Sequence, residues 1–183
     1  MQQDKRTVKT EKAIREAFFS LLRKKSIEQV TVNDICEAAM ISRNTFYGHY
    51  ADKYLLLETL SKEFILQILN KVIFAGTRIA YQNAIHTAAW AFFQHLDENK
   101  EMLQILSRND PHFWPIFSSE MQEFMLTFSG ASNRLRVFTA YSASALTGCY
   151  RDYFEGKLPM LPEEFVQCII EIAEKTNTFM VKT

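Results

Sequence analysis

Residues 31–50, TVNDICEAAMISRNTFYGHY, start a helix twice with room for only one tight turn between the starts. Thr31 and Asp34 have the spacing of a capping box. The threonine oxygen takes a free amide of the first turn, and the carboxylate reaches back to the cap amide. Ile35, Ala38 and Ala39 recur on one side of the helix so begun. A break is predicted at Met40 and Ile41, after which Ser42 caps a second short helix to about His49. Ala39 is small where the two helices approach. Ile41 and Phe46 can turn back into a core, which leaves Arg43, Asn44, Thr45 and Tyr47 near the exposed start of the second helix. A helix carrying such groups at its outer end suits a major groove. The same pattern also suits a capped helical hairpin inside a bundle.

The flanking sequence continues the helical period. Ala13, Ile14, Ala17, Phe18, Leu21 and Leu22 form one apolar stripe over residues 10–24, behind a short basic arm of Lys5, Arg6 and Lys9. Asp52 caps a fourth helix reaching about Phe74. Further helices are predicted at residues 78–95, 98–107, 114–129, 133–155 and 163–180. Asp97 is expected to cap the second of these, with Glu101 in its first turn. Pro111 and Pro115 bracket a connection, and GKLPMLP at residues 156–162 is a stop and turn. The chain has only five glycines, four prolines and no alternating strand-like stretch. The predicted fold is therefore all-α, with about nine helices. Residues 1–51 form a three-helix helix-turn-helix head, and residues 52–183 form a larger helical bundle.

Charge does not single out a partner class. The 183 residues carry 21 basic and 21 acidic side chains, so any DNA footprint must come from local placement. Cys36, Cys149 and Cys168 are odd in number and widely spaced. They read as reduced residues of a cytoplasmic protein, not as a disulfide framework. The N-terminal residues lack the apolar segment of a signal peptide, and no run approaches the length of a membrane span. His86, His95 and His112 follow no compact ligand spacing, so no metal is expected. No nucleophile elbow, phosphate-cradling loop or paired catalytic motif is present, and neither an enzyme nor a cofactor is expected.

Over residues 10–57 the sequence resembles the TetR family of bacterial transcriptional regulators. Thr31-Val32, Ile35, a small residue, the turn, Ser42, Thr45-Phe46-Tyr47, His49, Tyr50, Asp52-Lys53 and the following leucines occur in that family's order. The resemblance implies sequence-specific binding of double-stranded operator DNA by a homodimer, and most commonly repression. It implies that Thr31 and Ser42 lie at the DNA-facing helix starts, with Thr31 on a phosphate. Arg43 and Asn44 face bases or nearby phosphates, and Thr45 lies on backbone or a thymine methyl. Tyr47 and His49 form a phosphate-contacting pair, and Lys53 is a phosphate clamp. Phe46 and Tyr50 lock the motif. Where the family usually has glycine in the turn, this chain has Met40. A side chain there costs about 1–2 kcal/mol if the backbone is left-handed. Gly48 is unusual in a helix interior.

The resemblance further implies an effector cavity among the middle helices. Trp90, Phe93, Trp114, Phe117 and Met121 are its candidate walls for a small, mostly apolar effector; the same residues also suit a plain core. Control by a protein partner, with no small-molecule effector, is the alternative. Dimerisation is expected on the two last helices. Ala140, Ser144 and Gly148 permit close approach, with Tyr141 beside them and Phe165, Ile169 and Ile172 on the final helix.

Overall fold

A computed structural model describes residues 5–76, 84–129 and 132–181, with side chains within 7–72, 85–127 and 132–176. Among these residues all regular structure is helical, as the sparse glycine and proline content predicts. The helices are α1 (Lys5–Leu22), α2 (Val32–Ala39), α3 (Arg43–Tyr47), α4 (Lys53–Gly76) and α5 (Ala84–Glu98). They continue with α6 (Lys100–Asn109), α7 (Phe113–Ser129), α8 (Asn133–Phe154) and α9 (Pro162–Val181).

The chain divides into two compact units. The first comprises Met1–Ser61 together with Ile105–Pro111, so it extends past the 1–51 head read from sequence and takes in the end of α6. Ile14 and Phe18 of α1, Val30, Ile35 of α2, Phe46 of α3, Leu56 of α4 and Leu106 of α6 are all fully buried. The 3.6-residue stripe of α1 is what presents Ile14 and Phe18 on one face. The second unit comprises Lys62–Gln104 and His112–Thr183. Aromatic rings join its helices. Phe92 of α5 meets Tyr150 of α8 edge-on at 4.8 Å and Phe117 of α7 at 5.9 Å. Tyr150 and Tyr153 of α8 lie 5.2 and 4.3 Å from Phe165 of α9. Such contacts add about 0.5–1.5 kcal/mol each beyond the area they bury.

Several helix ends differ from the sequence reading. The basic arm is already helical, because α1 begins at Lys5 and ends at Leu22. α3 stops at Tyr47, so Gly48 is its C-cap at φ −73° and not an interior residue. Asp97 lies inside α5, and Asn99 takes the capping position before α6. Its carbonyl accepts from Leu103, and its side-chain amide donates to the His95 carbonyl at 2.7 Å. Pro115 is the third residue of α7, within the first turn, where its missing N–H costs nothing. The expected start of α5 at residue 78 lies outside the described residues.

The turn after α2 keeps the geometry that glycine would favour. Met40 has φ 53° and ψ 47°, the left-handed conformation, and is 91% exposed. Its N–H donates to the Glu37 carbonyl at 3.2 Å, and the next N–H, of Ile41, donates to Cys36 at 3.0 Å. These bonds satisfy carbonyls left over at the helix end. They hold a non-glycine residue at a cost of about 1–2 kcal/mol. Met40→Gly is therefore predicted to stabilise the protein by about 0.5–1 kcal/mol, once the extra freedom of the unfolded glycine chain is subtracted. A higher urea midpoint at constant m is the expected result, and an unchanged or lower midpoint contradicts strain at this turn.

Candidate nucleic-acid interface

The first helix of the motif is started by Thr31, whose backbone is extended at φ −105° and ψ 157°. Thr31 Oγ1 accepts the Asp34 N–H at 3.1 Å, and Asp34 Oδ2 accepts the Thr31 N–H at 3.0 Å. The predicted capping box is thus complete. Lys25 Nζ stands 3.6 Å from the same carboxylate oxygen. The Thr31 N–H donated to the carboxylate holds Asp34 below the usual aspartate range, with the Thr31 hydroxyl and Lys25 adding to it. Thr31 is exposed, and its hydroxyl hydrogen can still be donated outward.

The second helix is short and owes its position to one buried ring. Ser42 Oγ accepts the Thr45 N–H at 3.1 Å and lies 2.9 Å from Thr45 Oγ1. Phe46 is fully buried, edge-on to Tyr47 at 5.6 Å and 6.0 Å from Tyr50. Burying Phe46 turns Arg43, Asn44 and Tyr47 outward, and all three are exposed. Arg43 Nη2 donates to the Tyr47 hydroxyl at 3.5 Å, with its guanidinium 5.8 Å from the Tyr47 ring centre. His49 is half-buried, with Nδ1 3.6 Å from Glu11 Oε1 of α1. Sequence spacing gave no hint of the Glu11 contact, which exists only once α1 packs on the motif.

Lys53 has a task that the sequence did not reveal. Its ammonium donates to the carbonyls of Ile27 and Val30 at 2.7 Å each and of Glu28 at 3.3 Å. An ammonium has three hydrogens. The phosphate contact expected of Lys53 therefore competes with three bonds inside the protein. Asp52, just before it, caps α4 as predicted, and its Oδ1 accepts the N–H groups of Tyr54 and Leu55 at 2.8 Å.

The remaining candidate residues lie in the second unit. Trp90 packs edge-on to Phe93, which continues to Tyr153, Phe154 and Phe165. Trp114 packs with Phe113 and Phe117. Trp90 with Phe93 and Trp114 with Phe117 stand at two ends of one series of ring contacts, which runs through Phe165, Tyr150 and Phe92; Phe93, Phe117 and Met121 are buried, while the two tryptophans are half-buried. The residues expected at a dimer face also divide. Tyr141 and Ile172 are 68% and 56% exposed, Ser144 is exposed, and a Cβ added at Gly148 would meet nothing within 4 Å. Phe165 and Ile169 are instead buried in the chain's own core, because α8 and α5 already cover that side of α9. Of the expected dimer residues, Tyr141, Ser144 and Ile172 are therefore exposed and Gly148 is half-buried.

Residues 14–60, which hold the capping box, the left-handed turn and the exposed start of α3, match the family model of bacterial regulatory proteins, tetR family. The head thus carries a helix-turn-helix of the TetR type. Two relatives agree. The uncharacterized HTH-type transcriptional regulator YxbF of Bacillus subtilis is 29% identical over 126 residues, 67% of this chain and 33% of that protein. The HTH-type dhaKLM operon transcriptional activator DhaS of Lactococcus lactis is 27% identical over 115 residues, 61% of this chain and 58% of its own. The matches thus span less than two thirds of either relative's length. Among solved structures, the fold is similar to a TetR transcriptional regulator from Streptococcus agalactiae. The TM-score is 0.65 at 21% identity, covering 92% of this chain and 96% of that one. The dihydroxyacetone kinase operon activator DhaS is similar at a TM-score of 0.62 and 20% identity, covering 89% and 93%.

The Asp34 carboxylate gives the head a pH dependence with a definite sign. Its folded pKa is lowered, so its contribution to stability is present above the unfolded value of about 4 and is lost as pH falls through the folded value. Urea unfolding of the wild type and Asp34→Asn from pH 7 to pH 3 should show a constant gap above about pH 5 that narrows progressively as pH falls below about 4. A gap of the same size at pH 3 as at pH 7 contradicts the capping role of the ionised carboxylate.

Proposed function

We propose that the protein binds a near-palindromic operator as a homodimer, with α3 as the recognition helix in the major groove. The observation that carries this reading is the division of α3 into a buried Phe46 and an exposed edge of Arg43, Asn44 and Tyr47. Arg43 and Asn44 have the paired donors and acceptors that distinguish base edges; Thr31, Ser42, Thr45, Tyr47 and His49 are suited to phosphates and the nearby backbone. Two recognition helices related by a two-fold axis fit half-sites about 34–36 Å apart.

Genomic DNA pull-down with sequencing tests the reading by returning a symmetric site. On that site Arg43→Ala should cost about 1–3 kcal/mol and relax preference at one base pair of each half-site. Tyr47→Phe should weaken matched and mismatched duplexes alike. No enriched site, or folded variants with unchanged affinity and preference, would overturn it.

Pairing of the dimer is proposed through the exposed face of α8 and α9. Tyr141, Gly148 and Ile172 support this placement. A Cβ added at Gly148 meets nothing within 4 Å, so Gly148→Glu should leave each subunit folded while placing a charge in the interface. Light scattering at micromolar concentration should report a dimer for the wild type and a folded monomer for the variant. A wild-type monomer, or an unaffected variant dimer, contradicts the placement.

Repression by occupancy of the operator, relieved by a small and mostly apolar effector, completes the reading. Two buried polar atoms, Trp114 Nε1 and Thr147 Oγ1, have no hydrogen-bond partner among the described residues, and a ligand acceptor would satisfy the indole N–H. A rise in melting temperature with a member of a metabolite panel supports the effector; no rise across the panel favours control by a protein partner. Activation is the second reading, favoured because the relative DhaS is named an activator. Transcripts beside the bound site should rise on deletion of the gene under repression and fall under activation.

A further inference from the structure

The turn between α1 and α2 is held from a distant part of the sequence. Ile27 is buried, and its N–H donates to Asn109 Oδ1 at 2.8 Å across a separation of 82 residues. Asn109 is the last residue of α6 and is itself buried. Its Nδ2 donates to the Ile105 carbonyl at 2.8 Å, so the amide is oriented from both ends. Flipping it would set donor against donor at Ile27 and acceptor against acceptor at Ile105. The Ile27 carbonyl, in turn, is one of the three that accept from Lys53. A single buried turn residue is therefore gripped on its N–H by α6 and on its C=O by α4.

We propose that Asn109 is a positioning residue of the DNA-binding head. It touches no DNA. It fixes the 26–30 turn, and with it the point where Thr31 begins α2 and the place where α3 presents Arg43 and Asn44. The contact lies within the first compact unit, which includes the end of α6. Asparagine meets both demands at this position, since it carries an acceptor for Ile27 and a donor for Ile105 on one short side chain. Leucine has similar size and offers neither, so Asn109→Leu leaves a buried amide without an acceptor. Aspartate keeps the acceptor for Ile27, loses the donor and sets a carboxylate oxygen against the Ile105 carbonyl.

The test uses full-length Asn109→Leu and Asn109→Asp at pH 7. Three quantities are measured: amide exchange at Ile27, operator affinity across a salt series, and global unfolding. Asn109→Leu should accelerate Ile27 exchange about tenfold or more and weaken operator binding about fivefold or more while the protein stays folded. The slope of log affinity against log salt should not change, because no phosphate contact is lost. Asn109→Asp, which keeps the acceptor for Ile27, should protect Ile27 and bind operator better than Asn109→Leu, though less well than the wild type. Wild-type exchange or wild-type affinity in folded Asn109→Leu overturns the proposal, as does a salt slope reduced by about one, which would mark a direct phosphate contact. If Asn109→Leu does not fold, Asn109→Ala decides: Ile27 exchange accelerated about tenfold or more supports the contact, and wild-type exchange there overturns it. The affinity measurement rests on the proposed operator binding, whereas the exchange measurement does not. Absence of an operator is thereby distinguished from absence of the Asn109 contact.

Discussion

The ammonium of Lys53 is the point on which the DNA-binding head depends. Three carbonyls, of Ile27, Glu28 and Val30, converge on it from the turn between α1 and α2. Converging carbonyls form a negative pole, and a group with three charged hydrogens satisfies all of them at once. Val30 is followed immediately by Thr31, so the residue that ends the clamp adjoins the residue that begins α2. Asp52 works on the opposite kind of orphan group and accepts the first free amides of α4. Two adjacent residues of opposite charge thus fix the start of one helix and the approach to another.

From that anchored start, the placement of α3 follows by short steps. α2 is only eight residues long and α3 only five, lengths at which an isolated helix does not persist in water. What holds them is capping at Thr31 and Ser42 and burial of Ile35 and Phe46. Burying a phenylalanine of this kind is worth about 1.5–3 kcal/mol. The strain at Met40 is of comparable size and opposite sign. The head therefore tolerates a left-handed methionine because its neighbours over-determine the turn, through the Glu37 and Cys36 carbonyls on one side and the Ser42 cap on the other.

Features encoded within a few residues were legible in the sequence. The Thr31 and Asp34 box, the Ser42 and Asp52 caps, and the buried side of α1 all follow from spacing, and all are present. The glycine-like turn at Met40 was legible through the family resemblance, although its left-handed backbone needed the structure. Helix ends were read less well, because Lys5 and Arg6 continue α1 while Gly48 ends α3, and neither outcome is set by propensity alone. Contacts between distant segments were not legible. Lys53 reaches back 23–26 residues, and Asn109 meets Ile27 across 82. A lone lysine or asparagine looks the same in sequence whether it faces solvent or closes a turn. Phe165 and Ile169 illustrate the same limit for apolar residues: a wide helical stripe does not say which part a subunit covers itself and which part it leaves exposed.

The central claim is that the anchored head delivers the exposed edge of α3 to the major groove. Dimethyl sulfate footprinting on the operator recovered from genomic DNA tests this most directly, since the reagent reads guanine N7 in the major groove and adenine N3 in the minor groove. The account predicts protection of guanine N7 in two symmetric half-sites about 34–36 Å apart. Guanine N7 reactive throughout the bound site, with protection confined to adenine N3, would contradict it.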